Sequence, residues 1–375
     1  MIIKNARVLY GDRDPVLNDI YLDGERIAEK RPIGPDEEIV DADGLYALPG
    51  LTDMHFHGAM GHDFCDADAQ GLREILDFEA AHGVLTACPA TMTFPEETLN
   101  GVMDVARDHR NETGAELVGI NLEGPFISPA RVGAQNPDYV TPADTAMYER
   151  LNARSGGLIR LVDIAPEVGE NMDFIRKNAG RVRISLAHTD ADYDTARTAF
   201  HLGAKQLTHG FNAMPGIVHR APGPLLAAVE SGAQTELITD GVHIHPAVIR
   251  MAFRLFGPEN ILMISDSMRA CGLKDGEYDL GGQPVTVRGK LAVLSRDMTS
   301  IAGSVTCLYD CMREAVCHMG ISLKDAVRAA AYNPAAALGI DRDYGSLTKG
   351  HYGNIILADD SLAIRAVYRK GKRIV

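Results

Sequence analysis

The sequence predicts an α/β protein, a (β/α)8 TIM-type barrel with a small sheet domain built from both termini. Three observations carry that prediction. First, through the middle of the 375-residue chain, eight apolar runs alternate with helix-like stretches. Near-continuous apolar strands between helices imply a parallel sheet covered on both faces, and eight such units imply a barrel. Second, the two ends have another texture, short β-rich runs separated by turn signals. Third, each apolar run closes on a polar residue able to do chemistry, as expected where the C-terminal strand ends of a barrel share one face.

The elements follow in order. The N-terminal "MIIKNARVLYGDRDPVLNDIYLDGERIAEK" reads as a β-meander, with turn signals at Gly11-Asp12, Asp23-Gly24 and, later, Asp43-Gly44. Pro49-Gly50 is read as the hinge into the barrel. The eight runs end at His55 and His57, Thr91 and Thr93, Glu123, Glu167, His188, His209, Asp240 with His243, and Asp266. Between them lie helical spans such as "AQGLREILDFEAAH", "TAMYERLNAR", "YDTARTAFHLG", "PLLAAVESG" and "PAVIRMAFRLFG". "GEYDLGGQPVTVRGKLAVL" reads as an inserted hairpin near the strand-end face, and "SVTCLYDCMREAVCHMG" and "LKDAVRAAAYNPAAALG" as closing helices. The C-terminal "GNIILADDSLAIRAVYRKGKRIV" is β-rich again, turning at Lys370-Gly371-Lys372. Residues 1–48 plus 346–375 are assigned to the small domain and 49–345 to the barrel.

Composition narrows the function class. Hydrophobic residues make up 46% and charged residues 23%, ordinary for a globular protein. The formal charge of −14, from 51 acids against 37 bases, argues against nucleic acid or anionic membrane as a partner. A small anionic substrate needs only a few local cations. Cys65, Cys88, Cys271, Cys307, Cys311 and Cys317 form no CxxC pair and read as unpaired, mostly buried thiols of a reducing compartment. "MIIKNARVLY" lacks a charged segment followed by a long apolar stretch, and no run reaches the length of a membrane span. A cytoplasmic location is the expectation.

The imidazoles point to metal. His55 and His57, two apart, face one way if they lie on a strand. With His188, His209 and Glu123 at other strand ends, they offer four imidazoles and a carboxylate to a divalent transition metal such as zinc. One catalytic ion needs fewer ligands, so two ions bridged by Glu123 would use the set better. Any one of these histidines alone would read as an ordinary hydrogen-bonded residue. Asp266 in "LMISDSM" closes the eighth run, where a carboxylate can move protons beside the metal as general base and acid. Arg131, Asn212, His219, Arg220 and His243, in Gly- and Pro-rich loops, are candidate donors to a polar or anionic ligand. No phosphate-binding glycine loop is evident, so no nucleotide cofactor is expected.

"PGLTDMHFHG", "NLEGPFIS", "SLAHTDADYDTA", "LTHGFNAMPG", "TDGVHIHP", "SDS" and "IAGS" resemble the N-acetylglucosamine-6-phosphate deacetylases of the amidohydrolase superfamily, in order and at about the family's spacing. The resemblance implies a barrel with a β-sandwich. It implies one or two divalent ions, zinc first, with iron, cobalt, manganese or nickel as alternatives. Glu123, His188 and His209 match the shared ligands, His55 and His57 the pair that holds a second ion in some members, and Asp266 the catalytic aspartate. Ala134, Gln135, Asn212, Ala213, Arg220 and His243 match substrate contacts, and Ala302, Gly303 and Ser304 a loop that closes on the substrate. The arginine crosses a dimer interface in relatives, so the resemblance implies a homodimer in which Arg220 reaches the neighbouring site. The implied reaction removes acetate from an N-acetylamino-sugar 6-phosphate.

Two departures qualify the substrate. Gln135 stands where the family usually has histidine, and "SDSMRACG" where members more often read TDA. Both leave N-acetylgalactosamine 6-phosphate, or another N-acyl sugar, as the alternative to the gluco epimer. Hydrolases of N-acyl amino acids or cyclic amides are the next reading. Some of these carry a modified lysine on strand four, and "LIRLVDIAPE" has none there. An inert scaffold would have lost ligands that this chain keeps.

Overall fold

The computed structural model describes residues 1–10, 13–32, 34–35 and 37–375. The predicted Gly11-Asp12 turn lies outside the described residues. Eight parallel strands, with a two-residue segment (Glu116–Leu117) that pairs in parallel with the second of them just ahead of the third, run through the middle of the chain: β1 (Leu51–Asp53), β2 (Val84–Ala87), β3 (Ile120–Glu123), β4 (Ile159–Ile164), β5 (Arg183–Leu186), β6 (Gln206–Leu207), β7 (Gln234–Ile238) and β8 (Ile261–Ile264). β3 to β8 pair in sequence order, and β1 pairs β2. A parallel bridge between Ala90 and Asn121 joins β2 to β3. At the other seam, Asp266 N donates to His55 O at 2.9 Å and His57 N to Ser267 O at 2.7 Å. The result is a curled parallel sheet. β2, β3 and β8 are buried at every position, as expected for strands covered on both faces.

Helices follow the strands: α1 (Ala69–Ala81), α2 (Glu96–Asp108), α3 (Thr145–Arg154), α4 (Asn171–Asn178), α5 (Tyr193–His201), α6 (Gly223–Ser231), α7 (Pro246–Phe256) and α8 (Leu308–Cys317). Asp68, Asp144 and Asp192 cap α1, α3 and α5, their side chains accepting first-turn backbone N–H groups. Each such cap contributes about 1 kcal/mol. α2 and α4 complete units whose helices were not singled out in the sequence. α2 carries a readable start signal, Pro95 followed by Glu96 and Glu97.

The last predicted helix is interrupted. It divides into α9 (Leu323–Val327), a wide π turn over Arg328–Tyr332, and α10 (Asn333–Ala337). Pro334 is the cause, because it has no N–H to donate one turn back and its ring crowds that carbonyl. Asn333 uses the break, donating to Pro258 O at 2.8 Å and Ile261 O at 2.7 Å at the base of β8. The inserted hairpin is a three-stranded antiparallel sheet of Gly276–Leu280, Gln283–Arg288 and Leu291–Leu294.

Both termini meet in one eight-stranded sheet. Its strand Ile2–Val8 pairs with Val16–Asp23, Ile39–Asp41 and Tyr46–Pro49, and the last of these pairs with Ile355–Ala358 near the C-terminus. Ile3, Val8, Ile20, Leu357 and Tyr368 pack a core here that is separate from the main one. The chain crosses between the sheets at Gly50, where a Cβ would lie 2.7 Å from Leu85 Cδ1. All six cysteines are unpaired, and only Cys317 is exposed. Among the described residues, no helix is long and apolar enough to cross a membrane.

Candidate metal centre and substrate cavity

The strand ends set the site. His55, His188, His209 and Asp266 each come two residues after the last residue of β1, β5, β6 and β8, and Glu123 is the last residue of β3. His55 and His57 therefore do not share a strand face as the sequence suggested. The ladder ends at Asp53, and the two hydrogen bonds to the Asp266–Ser267 segment hold the pair instead. His188, His209 and Asp266 have φ of 41°, 31° and 50°. This left-handed backbone is uncommon for residues with a Cβ, costs about 1–3 kcal/mol each, and clusters at functional sites. Gly124, at φ 74°, lets the chain turn directly behind Glu123, where a Cβ would lie 2.1 Å from Thr93 Oγ1.

The side chains converge. Glu123 Oε1 lies 3.1 Å from His188 Nε2 and 3.2 Å from His209 Nε2, and these two nitrogens are 3.1 Å apart. His55 Nε2 is 3.5 Å from the same oxygen. Glu123 Oε2 is 3.4 Å from His57 Nε2, and Asp266 Oδ1 lies 3.2 Å from His57 Nε2 and 3.8 Å from His55 Nε2.

The donors fit a divalent ion. Each imidazole gives its Nδ1–H to an acceptor without hydrogens: His57 to Ala90 O (3.3 Å), His188 to Arg131 O (2.8 Å), His209 to Asn212 O (3.2 Å) and His55 to Glu236 Oε2 (3.0 Å). That fixes the tautomers and turns all four Nε2 lone pairs inward. Ligand atoms about 2.0 Å from a tetrahedral zinc stand about 3.3 Å apart, close to the Glu123–His188–His209 triangle. His55 Nε2 is buried with no hydrogen-bond partner. His55, Glu123 and His209 form one group able to hold an ion, and His55, His57 and Asp266 a second.

Charge follows position. Burial alone would raise the Glu123 carboxyl, but His55, His188 and His209 hold it well below the usual range. Asp266 behaves alike: burial opposes its ionisation, yet His57 and His55 keep its pKa low. Burial opposes charge on His55 too, but Glu123 and Glu236 on either side hold its pKa well above normal. The carboxylates thus draw protons onto His55 and His57, and a divalent ion competes with those protons for the same lone pairs.

A cavity of about 360 Å³ opens above the cluster. His57, Glu123, Ala134, Gln135, His188, His209, Asn212, Ala213, His243, Asp266 and Gly303 line it. His55 lies beneath, fully buried. Ala302 and Ser304 do not line it. Ser304 is buried and clasps the Asp266 backbone, its N donating to Asp266 O at 2.7 Å and its Oγ to Ser265 O at 2.6 Å. Arg220 is exposed and borders a different cavity beside Asp192 and Tyr193. His219 is exposed, and Arg131 pairs with Asp190 at 2.7 Å. Glu167 accepts from Thr189 Oγ1 and Asp190 N, both at 2.6 Å.

Gln135 is held on both sides. Its Oε1 accepts from Thr93 N at 2.7 Å, so its Nε2 must be the end that donates to Glu123 Oε2 at 2.9 Å. Sequence reading missed this contact, and it missed Glu236 altogether, although a glutamate inside the apolar run "TELIT" was a usable signal. Met92, Phe211, Leu280, Thr299, Ser300 and Ile301 also line the cavity without having been singled out.

The Amidohydrolase family profile matches residues 46–374. The N-acetylglucosamine-6-phosphate deacetylase of Bacillus subtilis is 35% identical over 90% of this chain and 87% of its own length. The N-acetylgalactosamine-6-phosphate deacetylase of Escherichia coli O157:H7 is 32% identical over 89% of each. The crystal structure of N-acetyl-D-glucosamine-6-phosphate deacetylase from Mycobacterium smegmatis superimposes with a TM-score of 0.92 at 32% identity, covering 100% of both chains.

Proposed function

Since the chain belongs to the amidohydrolase family, and within it to the N-acetylglucosamine-6-phosphate deacetylases, we propose that it hydrolyses the acetamide of N-acetylglucosamine 6-phosphate, giving acetate and glucosamine 6-phosphate. The carrying observation is the convergence of four imidazole Nε2 atoms and two carboxylates on the floor of the cavity. Glu123, His188 and His209 would hold one divalent ion, with zinc first in fit, and His55, His57 and Asp266 would help hold a second. When bound, an ion supplies Lewis acidity to the amide carbonyl and lowers the pKa of a water.

The chain's own residues do the rest. Asp266 takes a proton from the attacking water and passes it to the departing nitrogen, so that a C–O bond forms as C–N breaks. Burial opposes charge on His243, but Asp240, hydrogen-bonded at 2.8 Å, holds its pKa above normal. His243 is thus suited to the 6-phosphate, and Asn212 and Ala213 to the sugar phosphate. Gln135 favours a second reading, the galacto epimer, because its clasp on Thr93 and Glu123 differs from the histidine usual at that position. The parallel sheet forms a closed (β/α)8 barrel over 49–345, and residues 1–48 plus 346–375 a β-sandwich; the hydrogen bonds joining β8 to the end of β1 support closure.

Acetate and free amine measured against a substrate panel test the assignment. The expected result is the highest kcat/KM on the gluco 6-phosphate, with weaker turnover of the galacto epimer. Turnover of acyl amino acids with none of sugar phosphates would overturn it.

The active unit is a homodimer in which Arg220 serves the partner's site. Arg220 does not line the cavity above its own chain's cluster, and it shares its loop with Ile217 and Val218, 37% and 52% exposed. Mixing the inactive Arg220→Ala and Asp266→Asn proteins under subunit exchange should then recover about a quarter of wild-type activity, since random pairing puts both residues at one site of each hybrid. No recovery would place Arg220 in its own chain's site or outside the chemistry.

A further inference from the structure

We infer that Glu236 is the positioning residue that makes His55 a metal ligand and so sets the affinity of the second ion. This rests on the two-ion reading above. Three of the four site imidazoles are steered by backbone carbonyls, and only His55 gives its Nδ1–H to a carboxylate.

Glu236 lies on β7, fully buried, with both carboxylate oxygens hydrogen-bonded. Its Oε2 accepts from both His55 Nδ1 and His209 N, each at 3.0 Å. Its Oε1 accepts from Gln206 Nε2 at 2.6 Å. The carboxylate cannot rotate without breaking one of these, so the His55 ring is fixed with Nε2 toward Glu123 and Asp266. A charged acceptor also makes the imidazole a stronger donor of its remaining lone pair than a carbonyl does.

Charge balance points the same way. Two divalent ions bring four positive charges, and the direct ligands Glu123 and Asp266 return two. Glu236 supplies a third negative charge without occupying a coordination position. His55 stands in both groups, with Glu123 and His209 and with His57 and Asp266, but the first ion keeps Glu123, His188 and His209 without it, so the larger effect falls on the second site.

The test is titration of zinc or cobalt into metal-stripped protein, followed by calorimetry and elemental analysis, with no substrate present. In Glu236→Gln, one carbonyl oxygen still accepts from His55 and His209 while the charge is lost. The first ion should bind as in wild type, and the second about 10- to 100-fold more weakly. Gln206→Met removes the Oε1 contact but keeps the charge and both Oε2 contacts, so it should weaken the second ion less than Glu236→Gln does. Equal weakening of both ions, equal effects of the two variants, or no effect of Glu236→Gln would overturn the proposal. So would a wild-type protein that binds one ion, which would leave the deacetylase reading standing. Should Glu236→Gln fail to fold, nitrogen-resolved spectra of metal-free wild type decide. The His55 Nδ1–H signal is expected downfield of the other three, and four equivalent signals would refute the role.

Discussion

Asp266→Asn lowers kcat by about 10²- to 10⁴-fold, the usual contribution of a positioned general acid–base, and leaves the fold and the first ion in place. The substitution is nearly isosteric, so the change removes the carboxylate that moves the proton, and with it one ligand of the second ion, while the packing stays. Asparagine also suits the backbone, since at φ 50° it is among the few residues that accept the left-handed region readily. The segment stays clasped by His55 O and Ser304 N, which are main-chain contacts that the side chain does not make. Acetate release, metal content and thermal melting are the three measurements. Wild-type turnover in this variant would remove Asp266 from the chemistry.

Glu123→Gln should empty the centre of both ions and cut activity by about 10³-fold or more, the equivalent of the several kcal/mol a catalytic metal contributes. Among the described residues, Glu123 is the one carboxylate within 3.5 Å of all four imidazole Nε2 atoms. Its two oxygens face different groups, Oε1 toward His55, His188 and His209, and Oε2 toward His57 and Gln135. A neutral amide places a donor where one ion should sit and removes the shared negative charge. Elemental analysis after purification in trace metal, alongside kcat, checks the expectation. Full metal loading of the variant would show that Glu123 does not bridge.

Much of this was readable along the chain. Apolar runs ending in His, Glu or Asp mark the ends of β3, β5, β6 and β8 correctly, because burial on both faces forces apolar residues up to the rim, where polarity returns. The Asp caps, the π turn at Pro334 and the β-rich termini have equally local causes. Where the reading slipped, the cause was non-local. β1 is only Leu51–Asp53, so strand alternation does not align His55 with His57; the backbone of the eighth strand's end does.

The sequence by itself determined which residue types stand at which strand ends, and hence the α/β class, the candidates for metal ligands and the family, since periodicity and side-chain chemistry are properties of neighbours in the chain. Only the tertiary structure decided what lies behind those ligands. The His55–Glu236 contact spans 181 residues and the Gln135–Glu123 contact crosses from a loop to a strand end. Likewise, Arg220 borders a different cavity from the one above the cluster. Such pairings depend on how the strands are staggered around the sheet and where each loop folds back, and no local pattern encodes that distance or direction.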